Sequence, residues 1–150
     1  MIELIFVIVI IGTLAAIAVP RFNSMNITAE LANGRSDIAA IRSAIITERQ
    51  RSIVRGGSGY IPNLSTGDTA TILFTGDGTR PLLDFGIRAT TGAGGWSINN
   101  YTNRTYDFNS GSDITTFTYY PVNTTVAGVV IPAGSFVCVA GVNECDNLTD

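Results

Sequence analysis

The side chains that ordinarily carry catalysis are scarce in this chain. It has no histidine, and all nine of its basic residues are arginine. The usual general base and the commonest metal ligand are therefore missing, and neither a Ser–His–Asp nor a Cys–His nucleophile set can be built. Gly92-Ala93-Gly94-Gly95 is not followed by the Lys-Ser/Thr of a phosphate loop and reads as a turn. The stretch from Asp107 to Asp113 has the outline of a calcium loop. It lacks the fifth-position carboxylate and the distal glutamate, so a hairpin turn is the better reading. No catalytic residue, metal or cofactor is expected.

What remains is chemistry of association. Glu3 stands at the head of an apolar run, and from Leu4 to Val19 there is no charge, with Thr13 the only polar side chain. An apolar stretch of this length must enter a bilayer or pack against copies of itself. It is slightly short of the ~20 residues that span a bilayer. Burying an unpaired carboxylate at its head costs several kcal/mol, on the order of the penalty for any buried charge. Glu3 either stays at the head-group level, where it favours the helix N-terminus, or meets a cation on another molecule. The first basic residue of the chain is Arg21, too far away to serve.

A second association feature follows Pro20. Ile27, Leu31, Ile38, Ile41 and Ile45 recur at helical spacing and form one stripe. Arg35, Arg42 and Arg49, seven apart, line one flank; Glu30, Asp37 and Glu48 line the other. The opposite face is small: Ala29, Ser36, Ala40, Ser43 and Thr47. The stripe wants a sheet to cover, and the small face permits close approach of another helix. Flanks of opposite sign would let parallel neighbours set one against the other. A solvated amphipathic helix with scattered i,i+4 pairs is the plainer alternative.

These features need a long helix and a head to hold it. The helix is expected from residue 1 to about Val54, roughly 80 Å at 1.5 Å per residue. Gly56-Gly57-Ser58-Gly59 ends it. Gly12 weakens it by about 1 kcal/mol relative to Ala, and Pro20 removes an N–H, so a kink or local melting is expected near Gly12–Pro20. Residues 56–95, rich in Gly, Thr, Ser and Pro, read as a connecting region with strand-like pieces at Ala70–Thr75 and Phe85–Thr90. Strand signals follow at Trp96–Tyr101, Arg104–Asn109, Ile114–Val122, Val126–Ile131 and Ser135–Ala140. They predict an antiparallel β-meander of about four strands in residues 96–150, one face covering the helix stripe: an α+β fold. Thus 1–20 is the apolar half of the helix, 21–55 the amphipathic half, 56–95 the connection and 96–150 the head. Cys138 and Cys145 lack the C-x-x-C spacing of redox or zinc sites. Beside an export-type N-terminus, a disulfide is the default. A net charge of −3 argues against a dedicated nucleic-acid site.

The run I-E-L-I-F-V-I-V-I-I-G-T-L-A-A-I-A-V-P-R-F, from Ile2 to Phe22, resembles the mature N-terminus of bacterial type IV pilins and of the related type II secretion pseudopilins. About 22 residues are covered closely and the architecture of the rest loosely. In that family a prepilin peptidase removes a basic leader and methylates the new N-terminus. A glutamate, fifth in the mature chain, pairs with a neighbour's terminal amine. Glu3 matches that glutamate, Gly12 the helix glycine and Pro20 the kink proline. Glu3 is third here: two residues and a leader lie outside this sequence, or the amine is placed differently.

The resemblance implies a structural subunit, a major pilin, that waits in the inner membrane. Assembly machinery then extracts it into an extracellular helical pilus, a homopolymer used in adhesion, motility or uptake. It also implies that filaments melt the helix near Gly12–Pro20, and that a C-terminal disulfide bounds an exposed loop, which Cys138 and Cys145 match.

Two other readings stand beside it. A major pseudopilin would bind calcium near its C-terminus and usually lack the disulfide; Glu144, Asp146 and Asp150 are the acidic tail that could hold the ion. A membrane-anchored binding module would need a pocket of convergent polar groups, and no residues suggest one. A secretory signal peptide would begin with basic residues, where this chain has Glu3. Asn-x-Ser/Thr triplets at Asn26, Asn63, Asn100, Asn103, Asn123 and Asn147 are mostly what an Asn- and Thr-rich chain yields by chance.

Overall fold

A computed structural model describes residues 2–111, 113–138 and 145–149. The chain is α+β, a long helix followed by antiparallel sheet. Helix α1 (Ile2–Val54) is helical at every one of its 53 residues, through Gly12 and across Pro20. The melting expected at Gly12–Pro20 is therefore absent from the single subunit. Pro20 deletes one N–H, and the Ala- and Leu-containing turns before it hold the helix without help. The far end stops as its glycines require. Gly56 takes φ 84°. Its N–H reaches the Ile53 carbonyl at 2.9 Å, and Gly57 reaches Ser52 at 2.8 Å. This double bond pattern closes a helix on a left-handed glycine.

The connection 56–95 carries a short ribbon, β1 (Ile72–Leu73) with β2 (Ile87–Arg88). It also sends Ile61, Leu64, Leu73, Phe74 and Leu82 into the core, none more than 6% exposed. The main sheet has the order β3-β4-β5-β8, all antiparallel: β3 (Gly95–Asn100), β4 (Thr105–Asn109), β5 (Ile114–Tyr120) and β8 (Ser135–Cys138). Between β5 and β8 a separate hairpin stands out, β6 (Thr124–Val126) with β7 (Val129–Ile131). It splits the single strand expected at Val126–Ile131. Ala127 and Gly128 both have positive φ, 49° and 83°, the backbone of a two-residue hairpin turn. Of the last expected strand, Val139 and Ala140 lie outside the described residues. A five-residue helix, α2 (Cys145–Thr149), closes the described chain.

Strand alternation builds the core. Trp96 pairs with Phe108, Tyr106 with Phe117, and Tyr119 with Phe136, and all six are buried. Phe74 joins them from the connection, its ring 4.8 Å from Tyr106 and edge-on to Trp96 at 5.6 Å. Against this aromatic layer lie Ile38, Ile41 and Ile45 of α1, with Leu31 half-buried beside them. The helix stripe is thus covered by the sheet, as its period demands. Gly34 lies on the same stripe. A Cβ there would come within 2.6 Å of the Phe108 ring and 3.0 Å of Leu148, so its bareness lets sheet and α2 press onto the helix.

Candidate assembly surface

Among the described residues nothing covers the apolar half of α1. Leu4, Phe6, Ile8, Ile11, Leu14 and Ile17 are all at least 57% exposed, and Ile5, Val7, Val9 and Ile10 on the other sides of the helix are exposed at 41–56%. A helix apolar all round is a buried helix in its working state. Glu3 is exposed at its head. Among the described residues no helix is long and apolar enough to cross a membrane. The uncharged run 4–19 would cover about 24 Å of a hydrocarbon core of about 30 Å. The side chain of Pro20 lies outside the described set.

The small face of the second half is open as well. Ala29, Ser36, Ala40, Ser43 and Thr47 are exposed, and Ile46 and Ile53 stand beside them at 56% and 55% exposure. In this second half the helix therefore presents an open face while its other side carries the head.

The charged flanks turn inward to that head. Arg35 Nε donates to the Asn147 carbonyl, and Arg42 Nε to the Phe136 carbonyl at 3.1 Å. Arg49 donates to the Gly59 carbonyl at 3.2 Å and lies over the Tyr60 ring. Asp37 accepts the indole N–H of Trp96 at 3.0 Å. Burial pushes the Asp37 carboxyl above its ordinary value, and the indole bond works against the rise. Glu48, 2% exposed, is held by Arg80 from the connection. Burial, and next the Glu48 charge, push the Tyr119 hydroxyl well up; it donates to the Ile61 carbonyl at 2.8 Å. Glu30 alone of the acidic flank keeps a buried oxygen with no hydrogen-bond partner.

Arg80 and Gly34 are the residues the sequence reading missed. Glu48 gave a signal for the first. The sequence reading sets it on the acidic flank, but the structure puts it on the buried stripe, seven residues after Ile41, where a carboxylate needs a cation. Nothing in the sequence singles out Arg80 as that cation.

Cys138 and Cys145 form a disulfide, Cα to Cα 5.8 Å, which ties β8 to α2. Of the acidic tail, Glu144 and Asp150 lie outside the described residues. Asp107 is spent within the sheet, accepting from Thr116 at 2.6 Å and from Asn99 at 2.8 Å. Among the described residues no three His, Cys, Asp or Glu side chains are grouped for a metal. An open groove of about 630 Å³ beside Tyr60, Tyr120 and Arg104 has its one guanidinium bonded through Nε to the Pro62 carbonyl at 2.7 Å. It presents hydroxyls and ring faces rather than a nucleophile with its base.

No family model, curated protein or solved structure matches this chain.

Proposed function

We propose that the chain is the structural subunit of a helical filament of the type IV pilus kind. The supporting observation is the exposed apolar half of α1, continuous in one helix with a half that is packed on its own sheet. A surface so apolar stays monomeric only in lipid. Stacking parallel copies buries it and leaves the heads outside, and hydrophobic burial then makes the polymer stable.

In this reading the subunit first waits in the inner membrane. The run is shorter than the hydrocarbon core by about 6 Å, a mismatch a bilayer absorbs by thinning. A prepilin peptidase and assembly machinery deliver it to the filament. Glu3 takes a neighbour's terminal amine, which removes an unpaired charge from the apolar core and favours in-register addition. The long helix, with its half near Gly12–Pro20 able to loosen once neighbours surround it, forms the filament core. The heads carry adhesion, motility or uptake.

Glu3→Ala tests the mechanism. The variant should remain in the membrane fraction at normal abundance and yield no extracellular filaments. Abundant normal filaments from it would sink this mechanism.

A further inference from the structure

We propose that the open groove beside Arg104 on the head binds an acidic saccharide, with the Arg104 guanidinium taking a sugar carboxylate. The site stands independently of the filament reading.

The groove, about 630 Å³, lies between the start of the connection at Gly59, the turn that joins β3 to β4, and the end of β5 with the chain that follows it. That volume falls in the range of small-ligand clefts, about 300–1,000 Å³. No Asp or Glu lines it. In a chain of net charge −3 it is a cleft of one sign, with Arg104 in its wall and Arg49 lying over the Tyr60 ring.

Arg104 has φ 57°, the left-handed region that glycine would occupy without strain. Its N–H closes the turn on the Tyr101 carbonyl at 3.1 Å. An arginine therefore sits where a smaller residue would serve the turn better. Its Nε donates to the Pro62 carbonyl at 2.7 Å, which holds the guanidinium in place. Its two terminal nitrogens make no bond among the described residues. Asp68 reaches the same turn, but it accepts the Tyr101 N–H at 2.8 Å and forms no ion pair with Arg104. A fixed, unneutralised fork matches a carboxylate.

The rest of the wall suits sugar. The side chains of Asn103, Thr118 and Tyr120 make no hydrogen bond among the described residues, so their polar ends are free to exchange with ligand hydroxyls. Tyr120 is half-buried and, unlike Tyr60, has no cation over its ring, which leaves it for the C–H face of a sugar. One guanidinium in the wall, without a row of cations, does not track a phosphate backbone.

The test is isothermal titration calorimetry of the full-length chain in detergent. The probes are trigalacturonate, its methyl ester (rings without charge) and triglutamate (charge without rings). Trigalacturonate should bind, and each of the others about tenfold or more weaker. Arg104→Gly, which relieves the backbone strain, should weaken trigalacturonate binding about tenfold or more. Asn103→Ala changes an exposed side chain that holds nothing in the fold. It should weaken binding a few-fold, roughly one hydrogen bond, with the melting temperature unchanged. No binding of trigalacturonate, or binding that neither variant alters, would overturn the site. Equal affinity for the ester would overturn the role of Arg104, and equal affinity for triglutamate would overturn the saccharide class.

Discussion

Arg80 closes on Glu48 in a two-pronged ion pair, Nε 2.7 Å from Oε1 and Nη2 2.6 Å from Oε2. The same guanidinium donates to the carbonyls of Tyr60 and Gly59, both at 3.2 Å. Asp77 holds the Arg80 backbone N–H at 2.8 Å. One arginine therefore pins the connection 56–95 to the buried stripe of α1. Removing one partner strands a buried charge. Arg80→Ala should cost about 3–5 kcal/mol, while Arg80→Met with Glu48→Leu should cost much less than either single change. Urea denaturation of the full chain in detergent, followed by tryptophan fluorescence, reads both.

Gly34→Ala sets two effects against each other. Alanine gains about 1 kcal/mol of helix propensity. Its Cβ would meet the Phe108 ring at 2.6 Å, and overpacking a filled core costs about 1–3 kcal/mol. A net loss is expected, read as a lower melting temperature. A gain would mean that sheet and helix can part without cost.

The pH dependence has two opposed limbs. The raised Asp37 carboxyl binds its proton more tightly in the folded chain. Stability therefore increases as pH falls from above that raised value toward the ordinary carboxylate value. Asp77 behaves oppositely. Burial would raise it, but bonds from the Arg80 N–H and from Thr79, with the Arg80 charge, hold it below its ordinary value. Its contribution is complete above the ordinary value and is lost as pH falls through the lowered one. Denaturation midpoints across acid pH should thus pass through a maximum. Asp37→Asn, which keeps an acceptor for the indole, should flatten only the upper limb.

Opening the Cys138–Cys145 bridge should cost about 2–3 kcal/mol by loop-closure reckoning. The loss should appear first at α2, whose Leu148 is 2% exposed against the core. Hydrogen exchange of the double variant Cys138→Ser with Cys145→Ser should show residues 145–149 released while β3–β5 remain protected.

What was legible in the sequence was what is local. The apolar run, the Ile38–Ile41–Ile45 stripe and the alternating strands from Trp96 to Tyr120 follow from periods of 3.6 and 2 that each element carries within itself. The hairpin at Ala127-Gly128 was missed because Ala lacks the turn signal of Asn or Asp, yet takes the same positive φ. Gly34 reads as an indifferent helix glycine until Phe108, distant in sequence, arrives over it. The arginine row was legible as a row. Its attachment to the head was not, because its partners are the backbone carbonyls of Gly59, Phe136 and Asn147, a group every residue carries. Glu3 and the apolar run of α1, the centre of the proposed assembly surface, are picked out by the sequence alone.

Electron cryo-microscopy of material sheared from producing cells tests the central claim most directly. The account predicts long filaments of this chain with α1 inward, Glu3 paired to a neighbour, and the Cys138–Cys145 bridge on the outer surface. Recovery of the chain only from the cell envelope, as monomers or short fibres, would contradict it.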